Sequence, residues 1–284
     1  MTNLRLYILI AGLTALFLTL GFYLGGKNGM LLALMLAAGM NFWAYWFSDR
    51  AVLAMHNAFE VGPAQAPELH GVVSELARRA NMPMPRVYLM EDPSPNAFAT
   101  GRNPRHAAVA ATTGLLSILT REELAGVMAH EMAHVKNHDI LVSTITATLA
   151  GAITMILNIA EWGTLLGNRS GQSDGRNGLG SLLMVLLAPL AAMLIQMAVS
   201  RTREYGADEG GAQLCGNPLW LASALGKLHT GSQRFPLFTA RDHPATAHLF
   251  IVSPLTGMVL AGLFSTHPPI EERVARLHWL ANQQ

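Results

Sequence analysis

The stretch "VMAHEMAHVKNHD", Val127–Asp139, places two histidines four residues apart with a glutamate directly after the first. On a helix, His130 and His134 then lie one turn apart on the same face, and two imidazoles can converge on one ion. Glu131 falls on an adjacent flank, within reach of a water at the metal without being a ligand itself. This is the arrangement a zinc hydrolase needs, two nitrogen ligands and a general base. "TREE", Thr120–Glu123, precedes the stretch with the form of a capping box, Thr120 as N-cap and Glu123 at the third helical position.

A catalytic zinc site takes three protein ligands and leaves one position open. The HExxHxxGxxH pattern is excluded, because its glycine would fall at Asn137 and its third histidine at Ile140. His138 is two residues short of that place. Glu204 in "REYGAD" is the better third ligand, a distant carboxylate as in the His₂Glu class. Asp208 follows one turn later on the same face, placed to accept the second N–H of a zinc-bound histidine.

The rest of the chain points to a membrane. Of its 284 residues, 51% are hydrophobic and only 13% charged, about half the usual charged share of a soluble protein. Four stretches carry no charge: Leu6–Leu24, Met30–Phe47, Ile140–Ala160 and Leu179–Ser200. Each is long enough to cross a hydrocarbon core. "NFWAYWF", Asn41–Phe47, clusters aromatics as an interfacial belt does. Leu6–Leu24 reads as an uncleaved span, because "GGKNG" is a poor cleavage site and a second span follows at once. The net charge of +1 gives no field for nucleic acid, and the single cysteine, Cys215, excludes an internal disulfide.

The expected organisation is a transmembrane hairpin over 1–47 (spans 6–24 and 30–47) and a first catalytic segment, 48–139. A second hairpin over 140–200 (spans 140–160 and 179–200, flexible loop 167–178) and a second catalytic segment, 201–284, complete it. One zinc binds residues on both sides of the second hairpin only if the chain crosses the membrane an even number of times between them. Arg5, Arg50, Arg121, Lys136, Arg201 and Arg203 flank the spans on the catalytic side, against Lys27, Arg169 and Arg176 opposite. That balance favours a cytoplasmic active site. Within the polar segments, Pro67–Ala80 predicts an amphipathic helix with Leu69, Val72, Val73, Leu76 and Ala80 on one side. Arg86–Met90, Asn96–Thr100 and His106–Thr112 read as strands. Ser200–Leu214, Leu219–His229 and Pro268–Leu280 read as helices, and Pro236–Pro254 as irregular chain.

These tracts, in order, resemble the HtpX family of membrane zinc metallopeptidases, relatives of the CAAX prenyl endoproteases. The likeness runs through "PSPNAFATG", "AHEMAHVKNHD", "SRTREYGADEGGA", "HPATAHLFIVSP" and "FSTHPPIEERVARL". It implies an α+β, zincin-like domain with a small antiparallel sheet, carried by a multi-span helical membrane protein of the bacterial inner membrane. It assigns one Zn2+ per chain to His130, His134 and Glu204, and the base role to Glu131. It implies polypeptide substrates, especially membrane proteins, in quality control under stress. "NAFAT" resembles the edge strand that zincins offer to an extended peptide, with Asn96 and Ala97 as contacts. The resemblance also places His267 and Arg273 near the site, where either would stabilise an oxyanion. His243 and His248 read as structural. Two other readings remain, a CAAX-type prenyl-protein endoprotease and an inert membrane metal-binding scaffold. Intact Glu131 argues against the scaffold, because metal binding alone does not need it.

Overall fold

A computed structural model describes residues 2–150, 153, 201–235, 237, 243–252 and 268–283. Span 179–200, the loop 167–178, nearly all of 151–160 and His267 lie outside the described residues.

Helix α1 (Thr2–Met55) is interrupted at Gly25 and Gly26, where Gly26 has φ +56°. The chain doubles back there, and its two arms run side by side. A Cβ on Gly21 would lie 2.5 Å from both the Ala33 Cβ and the Gly29 carbonyl oxygen, so glycine sets the closeness of the arms. Asn41 Nδ2 donates to Thr14 Oγ1 across them at 3.2 Å. Gly25–Met55 is the one helix among the described residues long and apolar enough to cross a membrane. Leu31, Leu32, Met35, Leu36, Phe42, Trp43 and Trp46 stand exposed along it. The Arg102 guanidinium lies 4.6 Å from the centroid of the Trp46 ring, which joins the aromatic cluster to the next part of the chain.

That part is a sheet with helices packed on it. Strands β1 (Phe59–Glu60), β2 (Arg86–Met90), β3 (Ala97–Gly101) and β4 (Ala107–Thr112) lie in the order β1-β2-β4-β3. The sheet is mixed, not antiparallel as expected: β2 and β4 run parallel, with Val87 opposite Val109. The reason is the short connection through Gly101–His106, which forces β3 and β4 to be antiparallel neighbours. β2 then pairs with the other side of β4, and β3 becomes an edge. β1, two residues long, carries no periodicity from which to read it.

Helix α2 (Pro67–Ala80) forms as its apolar spacing predicts and buries Leu69, Val72, Val73, Leu76 and Ala80. Short α3 (Thr113–Ile118) follows β4. α4 (Arg121–Lys136) starts in the anticipated capping box: Glu123 N–H donates to Thr120 Oγ1, and Thr120 N–H to Glu123 Oε2. It is buried nearly all round, with Val127, Met128, Ala129 and Met132 in the main core. α5 (Asp139–Ala150) covers the first half of the segment expected to be the third span. It is not a continuation of α4, because Asn137 and His138 break the helix and His138 sits at φ +61°. α6 (Arg201–Cys215), α7 (Pro218–Arg234) and α8 (Ile270–Ala281) complete the described helices, with a 3-10 helix at Pro244–Leu249. α6 and α7 pack on α4, and α8 packs on both of them.

Close contact between α4 and α6 depends on glycine. A Cβ on Gly211 would fall 2.8 Å from the His130 backbone nitrogen. Gly211→Ala is therefore expected to push α6 off α4 and to lower stability by about 1–3 kcal/mol through overpacking. Gly206→Ala is the control. Nothing lies within 4 Å of its Cβ position, and alanine gains helix propensity there. Thermal denaturation of the two variants checks this; equal melting temperatures would contradict it.

Candidate metal centre

α4 carries His130, Glu131 and His134, and α6 carries Glu204 and Asp208. The packing of these helices brings one ligand atom each from His130, His134 and Glu204 within 4.8 Å of one another. His130 Nε2 lies 3.8 Å from Glu204 Oε2, and His134 Nε2 lies 3.5 Å from Glu204 Oε1. The two imidazole rings stand nearly perpendicular, at 88°, with centroids 4.8 Å apart.

The far nitrogen of each ring faces its own carboxylate. His130 Nδ1 is 3.0 Å from Asp208 Oδ1, the role expected of Asp208. His134 Nδ1 is 3.4 Å from Asp139 Oδ2. Asp139 was not singled out in the sequence, because a continuous helix would have carried it away from His134. With each Nδ1 turned to a carboxylate, the two Nε2 atoms and the Glu204 carboxylate converge on one another. Two imidazole nitrogens and a carboxylate are a donor set that a divalent cation satisfies. Tetrahedral zinc with bonds of about 2.0–2.1 Å sets its ligand atoms about 3.3 Å apart, and the histidine–Glu204 distances of 3.8 and 3.5 Å are a little wider than that. The residues present therefore fit one Zn2+.

Burial and neighbouring charge shape the acid–base character of the cluster. Burial drives His130 down to about 4, against the opposing pull of Asp208, so it is a neutral ligand at pH 7. Burial raises Glu131 to about 8, while the His134 charge works the other way. Burial also opposes the Asp208 carboxylate, yet Arg273 and His130 outweigh it and lower Asp208 to about 2. For His134 the cost of burial is outweighed by Asp139 and Glu204, and its pKa is raised.

Arg273 is fully buried on α8. Its Nε and Nη2 donate to Asp208 at 2.9 and 2.7 Å, and its Nη1 donates to the Ile251 carbonyl at 3.0 Å. It stands behind His130, and its hydrogen bonds run to protein groups. As the resemblance expects, it lies near the site: its Nη1 is 4.0 Å from Glu204 Oε2.

Asn96 and Ala97 are likewise engaged. Ile251 N–H donates to the Ala97 carbonyl at 3.0 Å, on the free edge of β3. Asn96 Nδ2 donates to the Val252 carbonyl at 2.8 Å. Further along the same edge the Glu131 carboxylate accepts the Ala99 N–H. A cavity of about 30 Å³ remains beside the histidines, roofed by His248, Leu249, Phe250 and Ile251. It has room for water but not for a peptide. Pro236–Pro254, expected to be irregular, thus includes the segment that covers the site.

A model of peptidase family M48 matches residues 63–281, more than three-quarters of the chain. The chain belongs to peptidase family M48. The M48 family is one of zinc metallopeptidases, and the matched region contains every residue of the cluster described above. Among solved structures, the chain is similar to the crystal structure of S. mikatae Ste24p, at 18% identity and a TM-score of 0.49. That likeness covers 97% of this chain and 64% of the other, so this M48 chain spans about two-thirds of the length of Ste24p.

Proposed function

We propose that this chain is a membrane-embedded zinc endoprotease. In this reading it cleaves misfolded membrane proteins and unfolded chains on the cytoplasmic side of a bacterial inner membrane, as part of quality control under stress. The observation that carries it is the convergence of His130, His134 and Glu204 beside Glu131. His130, His134 and Glu204 would hold the zinc, which supplies a Lewis acid that polarises the scissile carbonyl and makes water more acidic. Glu131 takes the proton of the attacking water and passes it to the leaving amine. Ala99 N–H holds the Glu131 carboxylate in place for that transfer. Asp208 and Arg273 fix the ring of His130. No covalent acyl-enzyme forms.

Substrate adds to β3 as a further strand, using main-chain bonds that ignore sequence. The Ala97 carbonyl becomes available when the Ile251 N–H releases it. Four spans anchor the catalytic segments 48–139 and 201–284 against the cytoplasmic face. The exposed aromatics of α1 and the Arg102–Trp46 contact support a position at headgroup level. An extended backbone cannot lie unpaired in lipid. The targets are therefore cytosolic loops, tails and unfolded segments, and not the interior of an intact transmembrane helix.

The test is proteolysis of casein by the full chain purified in detergent. Cleavage should stop with a zinc chelator and return with added zinc. Cleavage indifferent to chelation would contradict the proposal.

A further inference from the structure

α4 ends at Lys136, and the chain turns through Asn137 and His138 before α5 begins at Asp139. Had α4 continued, the five residues from His134 to Asp139 would place the two side chains about 140° apart around the axis. His138 at φ +61° redirects the chain, a conformation that histidine adopts more readily than most residues. Asp139 consequently lies under His134, with Oδ2 3.4 Å from Nδ1. Its other oxygen, Oδ1, is 3.8 Å from Arg203 Nη1 on α6, one residue before Glu204. Asp139 is buried, at 6% exposure.

We infer that Asp139 is a positioning residue for the metal centre. It takes the Nδ1–H of His134, which fixes the tautomer and turns Nε2 toward Glu204 at 3.5 Å. Through Arg203 it also ties the end of α4 to the start of α6, the two elements that supply all three ligands. The cluster then has matched supports: Asp208 behind His130 and Asp139 behind His134. Asp139 is also the first residue of α5, the helix that begins the segment expected to be the third span. The orientation of His134 is thereby linked to the chain entering that helix. This inference rests on the metal reading of the site.

The experiment is zinc titration of the metal-stripped full chain in detergent, in competition with a chromophoric chelator. Thermal melting of the metal-free protein is measured alongside. Asp139→Ala should weaken zinc binding roughly 10–100-fold, the usual effect of losing a carboxylate behind a ligating histidine. Its metal-free melting temperature should stay near that of wild type. Asp139→Asn keeps an acceptor oxygen and should lose less affinity than Asp139→Ala. His138→Gly keeps access to positive φ and should bind zinc as wild type does. His138→Val disfavours that conformation and should bind as weakly as Asp139→Ala. Wild-type zinc affinity in Asp139→Ala would overturn the assignment, as would a loss in metal-free melting with no change in affinity. A wild-type chain that takes up no zinc would instead sink the metal reading itself.

Discussion

Glu131→Gln is expected to lower the rate of casein cleavage by about 10²–10⁴-fold, the usual contribution of a positioned general base, while zinc content stays at one per chain. Glutamine has nearly the same shape and keeps an oxygen that accepts the Ala99 N–H. It cannot take a proton from water. The side chain is 2% exposed, so the substitution adds no solvent contact that would disturb α4. Burial raises Glu131 to about 8 even with the His134 charge working against it, and any further positive charge beside it favours the carboxylate form. Metal analysis and proteolysis on the same preparation separate the two roles open to this residue. Zinc lost together with activity would make Glu131 a ligand and contradict the assignment.

The second large effect concerns stability. Arg273→Leu removes one half of a fully buried ion pair and leaves the buried Asp208 carboxylate without its guanidinium, facing the His130 ring. Breaking such a pair costs about 3–5 kcal/mol, which for a unit of this size lowers the melting temperature by roughly 10 °C. It also frees the Ile251 carbonyl and the ring of His130 from their common neighbour. Arg273→Lys keeps the charge but cannot span Asp208 and Ile251 at once, so it should recover only part of the loss. Arg276→Ala, one turn further along α8, is the comparison. Arg276 is exposed and stacks on Tyr205, a contact worth about 1 kcal/mol at most. Calorimetry of the three variants checks the order; an Arg273→Leu protein as stable as Arg276→Ala would contradict it.

What the sequence revealed, and what it hid, follow from the range of the interactions involved. α2 has the predicted bounds because its apolar spacing is local and its first residue is proline. The α4 start was legible because a capping box is a four-residue signal. The pairing of Glu204 with two histidines some seventy residues earlier was read from ligand chemistry, and the helices bring those atoms together. The parallel β2–β4 pairing was not legible, since it depends on which edge the β3–β4 turn leaves free. The break at His138 was hidden for a different reason. "KNHD" carries no proline or glycine, and a histidine at positive φ leaves no mark in a hydrophobic pattern. Asp139 was missed with it. The cover formed by His248–Val252 is held by one main-chain bond to β3, by the Asn96 side chain and by Arg273, none of which has a local signature.

Zinc K-edge X-ray absorption of the full chain, loaded with one equivalent of zinc, tests the central claim most directly. Two imidazole nitrogens with oxygen ligands at about 2.0–2.2 Å are the expected shell. No sulfur is expected, because the one thiol, Cys215, is buried at the end of α6, away from the cluster. Loss of one imidazole contribution in His134→Ala would place that residue in the shell. A sulfur shell at about 2.3 Å, or an unchanged spectrum in His134→Ala, would contradict a centre built from His130, His134 and Glu204.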